Sequence, residues 1–266
     1  MHLARVLVCA LLILNAPLPS PAQQATPVTS PQALALLQQS LSALTGGHLM
    51  SDVTLTAAAN TIAGSDDESG TATLKAVAIG ASSVNLSFSS GQRSEIINTS
   101  AITPTGSWSG PDGVAHAAVF HNLLTGPFWF FPAFALAANS SAPAALVTYI
   151  GHETHNGQAV EHLTIAQSSP SADPPGGPSY SHLTQLDFFL DSTTLLPVAL
   201  DFNVHPDNNA LLDIPVEIQF TSYTAVNGAQ IPYHIQKFLN NTLALDLQIQ
   251  SATFNSGLST SSFVTP

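Results

Sequence analysis

Apolar and polar residues alternate through the second half of the chain, and this constrains the fold more than any other feature. Val216, Ile218 and Phe220 interleave with Glu217, Gln219 and Thr221. Ile231, Tyr233 and Ile235 follow. Then come Leu243, Leu245, Leu247 and Ile249, with Thr242, Asp246, Gln248 and Gln250 on the opposite parity. A period of two belongs to a strand with one covered face and one polar face. Asn156-Gly157, Asn227-Gly228 and Asn240-Asn241 punctuate the runs. Asn-Gly accepts the positive φ angles of a type I′ hairpin turn, so residues 146–165 predict a hairpin about 156–157. Strands at 186–191 and 198–204 flank the turn Ser192-Thr193-Thr194, and residues 168–178 form a Pro/Gly/Ser loop. The whole half is a β-meander.

The first half opens differently. Ser30 or Pro31 starts a helix, with Pro in the first turn where its missing N–H is not needed. Leu34, Leu37, Leu41 and Leu44 form one stripe, and Gly46-Gly47 ends it. A strand begins with Leu49, Val53 and Leu55, and residues 63–69 make an acidic turn. Strands follow at 71–79, 84–88 and 94–98. Residues 103–113 read as loop and 114–124 as a short helix. The run Phe128-Trp129-Phe130-Phe131-Pro132-Ala133-Phe134 is a loop and helix ending near Asn139. The expectation is an α+β fold with about ten or eleven strands, an N-terminal helix and a central apolar segment. There is no internal repeat.

The N-terminus predicts a secretory leader over residues 1–22. Arg5 is its basic region, 6–14 its apolar stretch, and cleavage falls near Ala22. Residues 23–31 form a polar linker and 32–266 a single domain. Cys9, the one cysteine, lies in the leader, so the mature chain has no disulfide and no thiolate chemistry. The location is then periplasmic or secreted. Lys+Arg number 4 against 16 Asp+Glu, for a net charge of −12. That argues against nucleic acid and anionic membrane surfaces, which need clustered cations. Asn-x-Ser/Thr triplets at Asn85, Asn98, Asn139 and Asn240 matter only in a eukaryotic secretory route.

Catalytic motifs are sparse. In the 146–165 hairpin, His152 shares a face with Glu161, whereas Glu153, His155 and His162 share the other. Those three make at most a weak mixed-ligand zinc site. His116 and His121 stand ~140° apart on a helix, not the spacing of a metal pair. Gly106-Ser107-Trp108-Ser109-Gly110 places Trp where a nucleophile elbow needs Ser. Asp66-Asp67-Glu68 lacks the spaced ligands of a calcium loop. A metal-dependent or serine hydrolase is therefore the least favoured reading, and no catalytic residue, metal or cofactor is assigned. The unusual feature is aromatic. Phe120, Phe128, Trp129, Phe130, Phe131 and Phe134 lie within fifteen residues of each other. Consecutive aromatics cannot all face one core, so they are either plain core or the lining of an apolar cavity.

The order of elements, with particular turns, resembles a known family. Those stretches are Tyr149-Ile150-Gly151-His152-Glu153 with Asn156-Gly157, then residues 187–198, and Tyr223-Thr224-Ala225-Val226-Asn227-Gly228 with Ile231-Pro232. Asn255-Ser256-Gly257-Leu258 leading to Phe263 completes them. Together they resemble the periplasmic lipoprotein-carrier superfamily (LolA/LolB-like, lipoprotein-sorting). The resemblance implies a curved, half-open antiparallel β-barrel closed by a central helical lid or plug, with an apolar cavity for acyl chains. It implies ligand contacts from Trp108, Phe120, Phe128, Trp129, Phe130, Phe131, Phe134, Phe220, Ile235 and Leu245, with Arg93 in the place of a cavity arginine. The expected function is a monomeric, non-enzymatic carrier of lipid, fatty acid or a lipoprotein's acyl chain. The alternative is an envelope protein partner bound at the sheet face or edges.

Overall fold

The computed structural model describes residues 29–264 except 65, 101–102, 143, 170–172 and 174. The expected leader, with Arg5 and Cys9, and residues 23–28 of the expected linker lie outside these residues.

Helix α1 (Pro31–Thr45) forms where capping chemistry places it. The Ser30 hydroxyl accepts from Ala33 N–H at 3.0 Å, and Gly46, at φ 60°, donates its N–H to the Ser42 carbonyl. The buried face keeps most of the predicted stripe, since Leu37 and Leu44 are buried and Leu41 packs against the core, but it is rotated at the first turn. Ala33, Leu37, Ser40 and Leu44 are buried, whereas Leu34 is exposed. The helix lies against the strands Ala229–Leu239 and Ala145–His155 and the helix Pro132–Ser140 at once, and those neighbours set its covered face.

Strands β1 (Asp52–Ala63), β2 (Asp66–Val77), β3 (Ala81–Phe88), β4 (Gly91–Asn98), β5 (Thr105–Ser109) and β6 (Ala115–Ala117) come next. A 3-10 turn (Phe120–Leu123) and α2 (Pro132–Ser140) make the central segment. Then follow β7 (Ala145–His155), β8 (Gln158–Gln167), the short helix α3 (Tyr180–Leu183), β9 (Leu186–Asp191) and β10 (Pro197–Val204). The long strands β11 (Ile214–Val226), β12 (Ala229–Leu239) and β13 (Thr242–Phe254) complete the sheet. Its order is β6-β5-β4-β3-β2-β1-β13-β12-β11-β10-β9-β8-β7, antiparallel throughout. Every neighbour is also a neighbour in sequence except β1 and β13, which join the two halves.

The sheet is open: β6 and β7 are its edges and do not pair with each other. The barrel is thus half-open, as expected, rather than closed. It has thirteen strands, not ten or eleven. The additions, β5 and β6, come from segments expected as loop and short helix. Their strand character is supplied by β4, with Trp108 opposite Glu95 and the Ser94 and Ser109 hydroxyls 2.8 Å apart. Only one 3-10 turn of the expected helix over 114–124 remains.

One sheet face is apolar and holds the central segment. Phe128, Trp129, Phe130, Phe131 and Ala133 to Leu136 share a single core with Leu37 and Leu44 of α1. That core also takes the inward residues of both halves, such as Leu55, Leu74, Phe188, Ile218, Ile235 and Leu247. The other face is polar except for two small satellite cores, one of Val160, Phe189 and Ala199 and one of Val77, Ala81 and Phe263. Among the described residues no helix is long and apolar enough to cross a membrane.

Candidate functional site

Where the central segment fails to fill the open side of the sheet, a groove remains. It consists of two adjoining hollows of about 600 and 310 Å3 that share Glu95, Trp108, Trp129 and Lys237. One wall carries Leu86, Arg93, Glu95, Ile97 and Trp108 from β3 to β5. The other carries Val204, Lys237, Leu239 and Leu245 from β10, β12 and β13. Strand parity explains the second wall. Ile231 and Ile235 are inward and buried on β12, so Lys237 is inward as well, opposite Leu245. A cation is thereby carried onto the apolar face.

Trp129 stands between the walls and is only 3% exposed. Its ring meets Phe130 edge-on at 5.6 Å, and Lys237 Nζ lies 4.6 Å from its centroid, a cation–π contact. Its Nε1 donates to Glu95 Oε1 at 3.4 Å. Trp108 is 45% exposed and stacks on His116 at 4.4 Å. Arg93 is fixed from behind: its guanidinium sits 4.9 Å over Phe88, and its Nη2 lies 3.3 Å from Ser90 Oγ and 3.7 Å from Glu68 Oε2. Hydrogen bonds from the Ser90 and Ser89 hydroxyls and the Ser90 N–H hold Glu68 down to about 2, so it stays a carboxylate. Arg93 Nη1 remains buried with no hydrogen-bond partner. Two of the chain's four Lys and Arg residues thus line one apolar groove.

The other residues expected at a ligand site are placed differently. Phe128, Phe130, Phe131 and Phe134 are buried and pack edge-on, with Phe131 and Phe134 at 4.8 Å. Phe220 and Ile235 are buried on the inner sheet face without lining either hollow. Phe120 is exposed on its 3-10 turn, also outside both linings. Glu95, Ile97, Asn122, Val204, Asp207 and Leu239 line the groove and were not anticipated.

The hairpin histidines lie elsewhere. His155 faces Gln158 and His152 faces Glu161, as the Asn-Gly turn predicts. His162 bridges Glu153 and Asp187, at 3.0 Å to each. His155 does not join that pair. It stacks on Phe189 at 3.8 Å and reaches Glu217 at 3.3 Å. Asp187, Asp201 and Glu217 are direct cross-strand neighbours on β9, β10 and β11. Burial, aided by the charges of Glu217 and Asp187, pushes Asp201 up to about 7.

No family model matches the chain, and no curated protein sequence does either. Solved structures do resemble it. A domain from Vibrio parahaemolyticus, named for outer membrane lipoprotein sorting, has a TM-score of 0.53 at 13% identity, over 87% of this chain and 96% of that one. A LolA superfamily protein from Nitrosomonas europaea has a TM-score of 0.53 at 10% identity, over 87% and 97%. A DUF1329 family protein from Desulfovibrio piger has a TM-score of 0.54 at 10% identity, over 90% and 98%. The chain therefore has a LolA-like fold.

Proposed function

We propose that the chain is a periplasmic or secreted, non-enzymatic binder of an apolar chain bearing an anionic end, such as a fatty acid or lipid acyl group. The observation that carries this reading is the groove itself, an apolar channel in a LolA-like half-barrel with Lys237 and Arg93 on its two walls. Burial of the apolar chain would drive binding at ~25 cal/mol per Å2 before association costs. The two cations would orient its head. The deep aromatics Phe128, Phe130, Phe131 and Phe134 form the plug against which the chain lies, with Trp129 and Trp108 in contact. The two solved LolA-superfamily and lipoprotein-sorting neighbours support this reading by fold alone.

Both tryptophans of the chain line the groove, so intrinsic fluorescence reports on it directly. Titration with oleate should give a saturable blue shift, and solvent extracts of protein purified without detergent should hold a stoichiometric lipid. Trp108→Ala should weaken oleate binding about ten-fold with an unchanged melting temperature, because Trp108 is half exposed. No saturable shift together with a clean extract would sink the proposal. A second reading, a protein partner added to the sheet, rests on the edge of β7. There Thr29 and Ser30 hydrogen-bond Ala145 and Val147, while Ile150 beyond them is exposed.

A further inference from the structure

Four segments far apart in the chain converge behind the groove wall. His121 comes from the 3-10 turn, His182 from α3, His205 from the residue after β10, and Asp213 from the residue before β11. His205 is 3% exposed. Asn122 clamps its backbone from both sides: His205 N–H donates to Asn122 Oδ1 at 2.9 Å, and Asn122 Nδ2 donates to the His205 carbonyl at 2.7 Å. The ring is therefore held in place by the main chain. Asp213 Oδ1 lies 2.9 Å from His182 Nε2 and 3.4 Å from His205 Nδ1. The Leu212 carbonyl oxygen is 3.2 Å from the same Nδ1. His205 Nε2, on the other edge of the ring, is buried and has no hydrogen-bond partner.

The separations of 3.2 and 3.4 Å are close to the edges of a coordination tetrahedron, and the 2.9 Å contact between Asp213 and His182 has to open by a few tenths of an ångström. With metal–ligand bonds of 2.0–2.1 Å, neighbouring ligand atoms in a zinc site stand about 3.3 Å apart. One ligand atom from each of His182, His205 and Asp213 lies within 4.8 Å of the others. Two imidazoles and a carboxylate are zinc-type donors. Asp213 and His182 are partly exposed and leave an entry path.

We propose that His182, His205 and Asp213 bind a divalent transition-metal ion of the zinc class, through His182 Nε2, His205 Nδ1 and Asp213 Oδ1. The Leu212 carbonyl oxygen or a water takes the fourth position. Each neutral ring then carries its proton on its other nitrogen. His121, edge-on to His205 at 5.7 Å between centroids, stands beside the ion without ligating it. The ion ties the connection between β10 and β11 to α3, next to the wall that Val204, Asp207 and Asn122 give to the groove. The site does not depend on what the groove holds.

The test is calorimetric titration of ZnCl2 into the full chain, without a polyhistidine tag and stripped with EDTA, at neutral pH. Cobalt(II) absorption in the visible range would check the tetrahedral geometry. One ion per chain is expected. His182→Gln and Asp213→Asn, both on partly exposed side chains, should each weaken binding about ten-fold or more. Asp201→Asn, in the separate group of His155, Asp201 and Glu217, should leave the affinity unchanged. Absence of saturable binding overturns the proposal. So does binding that Asp201→Asn abolishes and His182→Gln does not.

Discussion

Asp201 lies between two other carboxylates, Asp187 and Glu217, directly opposite both on adjacent strands. Like charges so placed destabilise a sheet. Its Oδ1 is buried with no hydrogen-bond partner, and burial is the largest reason its pKa rises to about 7. The consequence for stability has a definite sign. Below about pH 4 the group is protonated in both folded and unfolded chains and contributes nothing. As pH rises from there, the unfolded chain ionises first, so stability falls until about pH 7 and then levels off. Asp201→Asn should therefore unfold at higher urea than the parent at pH 8, by roughly 1–4 kcal/mol, and match it at pH 4. A variant less stable at pH 8 would mean that the ionised carboxylate is held by a partner. Sequence could not give this trio, because residues 187, 201 and 217 meet only through strand register. The reach of His155 over Phe189 to Glu217 was hidden for the same reason. Lys237 was legible in principle, since it continues the parity of Ile231 and Ile235.

At the level of elements, local chemistry decided what could be read. The Ser30 cap, Pro31 and Gly46 fixed both ends of α1, and the Asn-Gly turn at 156–157 has both residues at positive φ as its type requires. Strand parity from β9 to β13 was equally plain. Short strands without parity were not, so β5 and β6 depend on β4 to exist at all. The slight rotation of α1 that buries Ala33 and Ser40 and exposes Leu34 is set by the elements it touches. Gly46 shows how closely that helix is held. It sits at φ 60°, and a Cβ there would run into the carbonyl of Gly228 in the turn between β11 and β12. Gly46→Ala should cost roughly 2 kcal/mol or more, combining left-handed strain with displacement of that turn. Gly47→Ala, also at positive φ but with open space around it, isolates the strain alone and should cost about 1 kcal/mol. Equal melting temperatures for the two variants would show that the helix end is not pressed on the turn.

The whole molecule is a single sheet wrapped around an aromatic plug. The two halves of the sheet are hydrogen-bonded to each other at the pairing of β1 with β13, and the aromatic plug is what their inner faces bury in common. The plug is therefore core first, and its removal should unfold the chain. Phe131→Ala, at 1% exposure, is expected to cost about 3–5 kcal/mol. A ligand cannot enter the plug without that loss, so it must use the groove at its side. Motion on binding should then be confined to the groove's outer wall, where the short strands β5 and β6 and the 3-10 turn have little burial of their own. Hydrogen exchange with and without oleate tests this. Amides from 105 to 126 and at 237–239 should slow, while those of β8 and β9, on the far side of the sheet, should not change. Uniform slowing would mean that the ligand merely stabilises the fold as a whole. Slowing centred on residues 130–136 would mean instead that the plug itself opens, and the aromatic segment would then be a lid rather than the core around which the sheet bends.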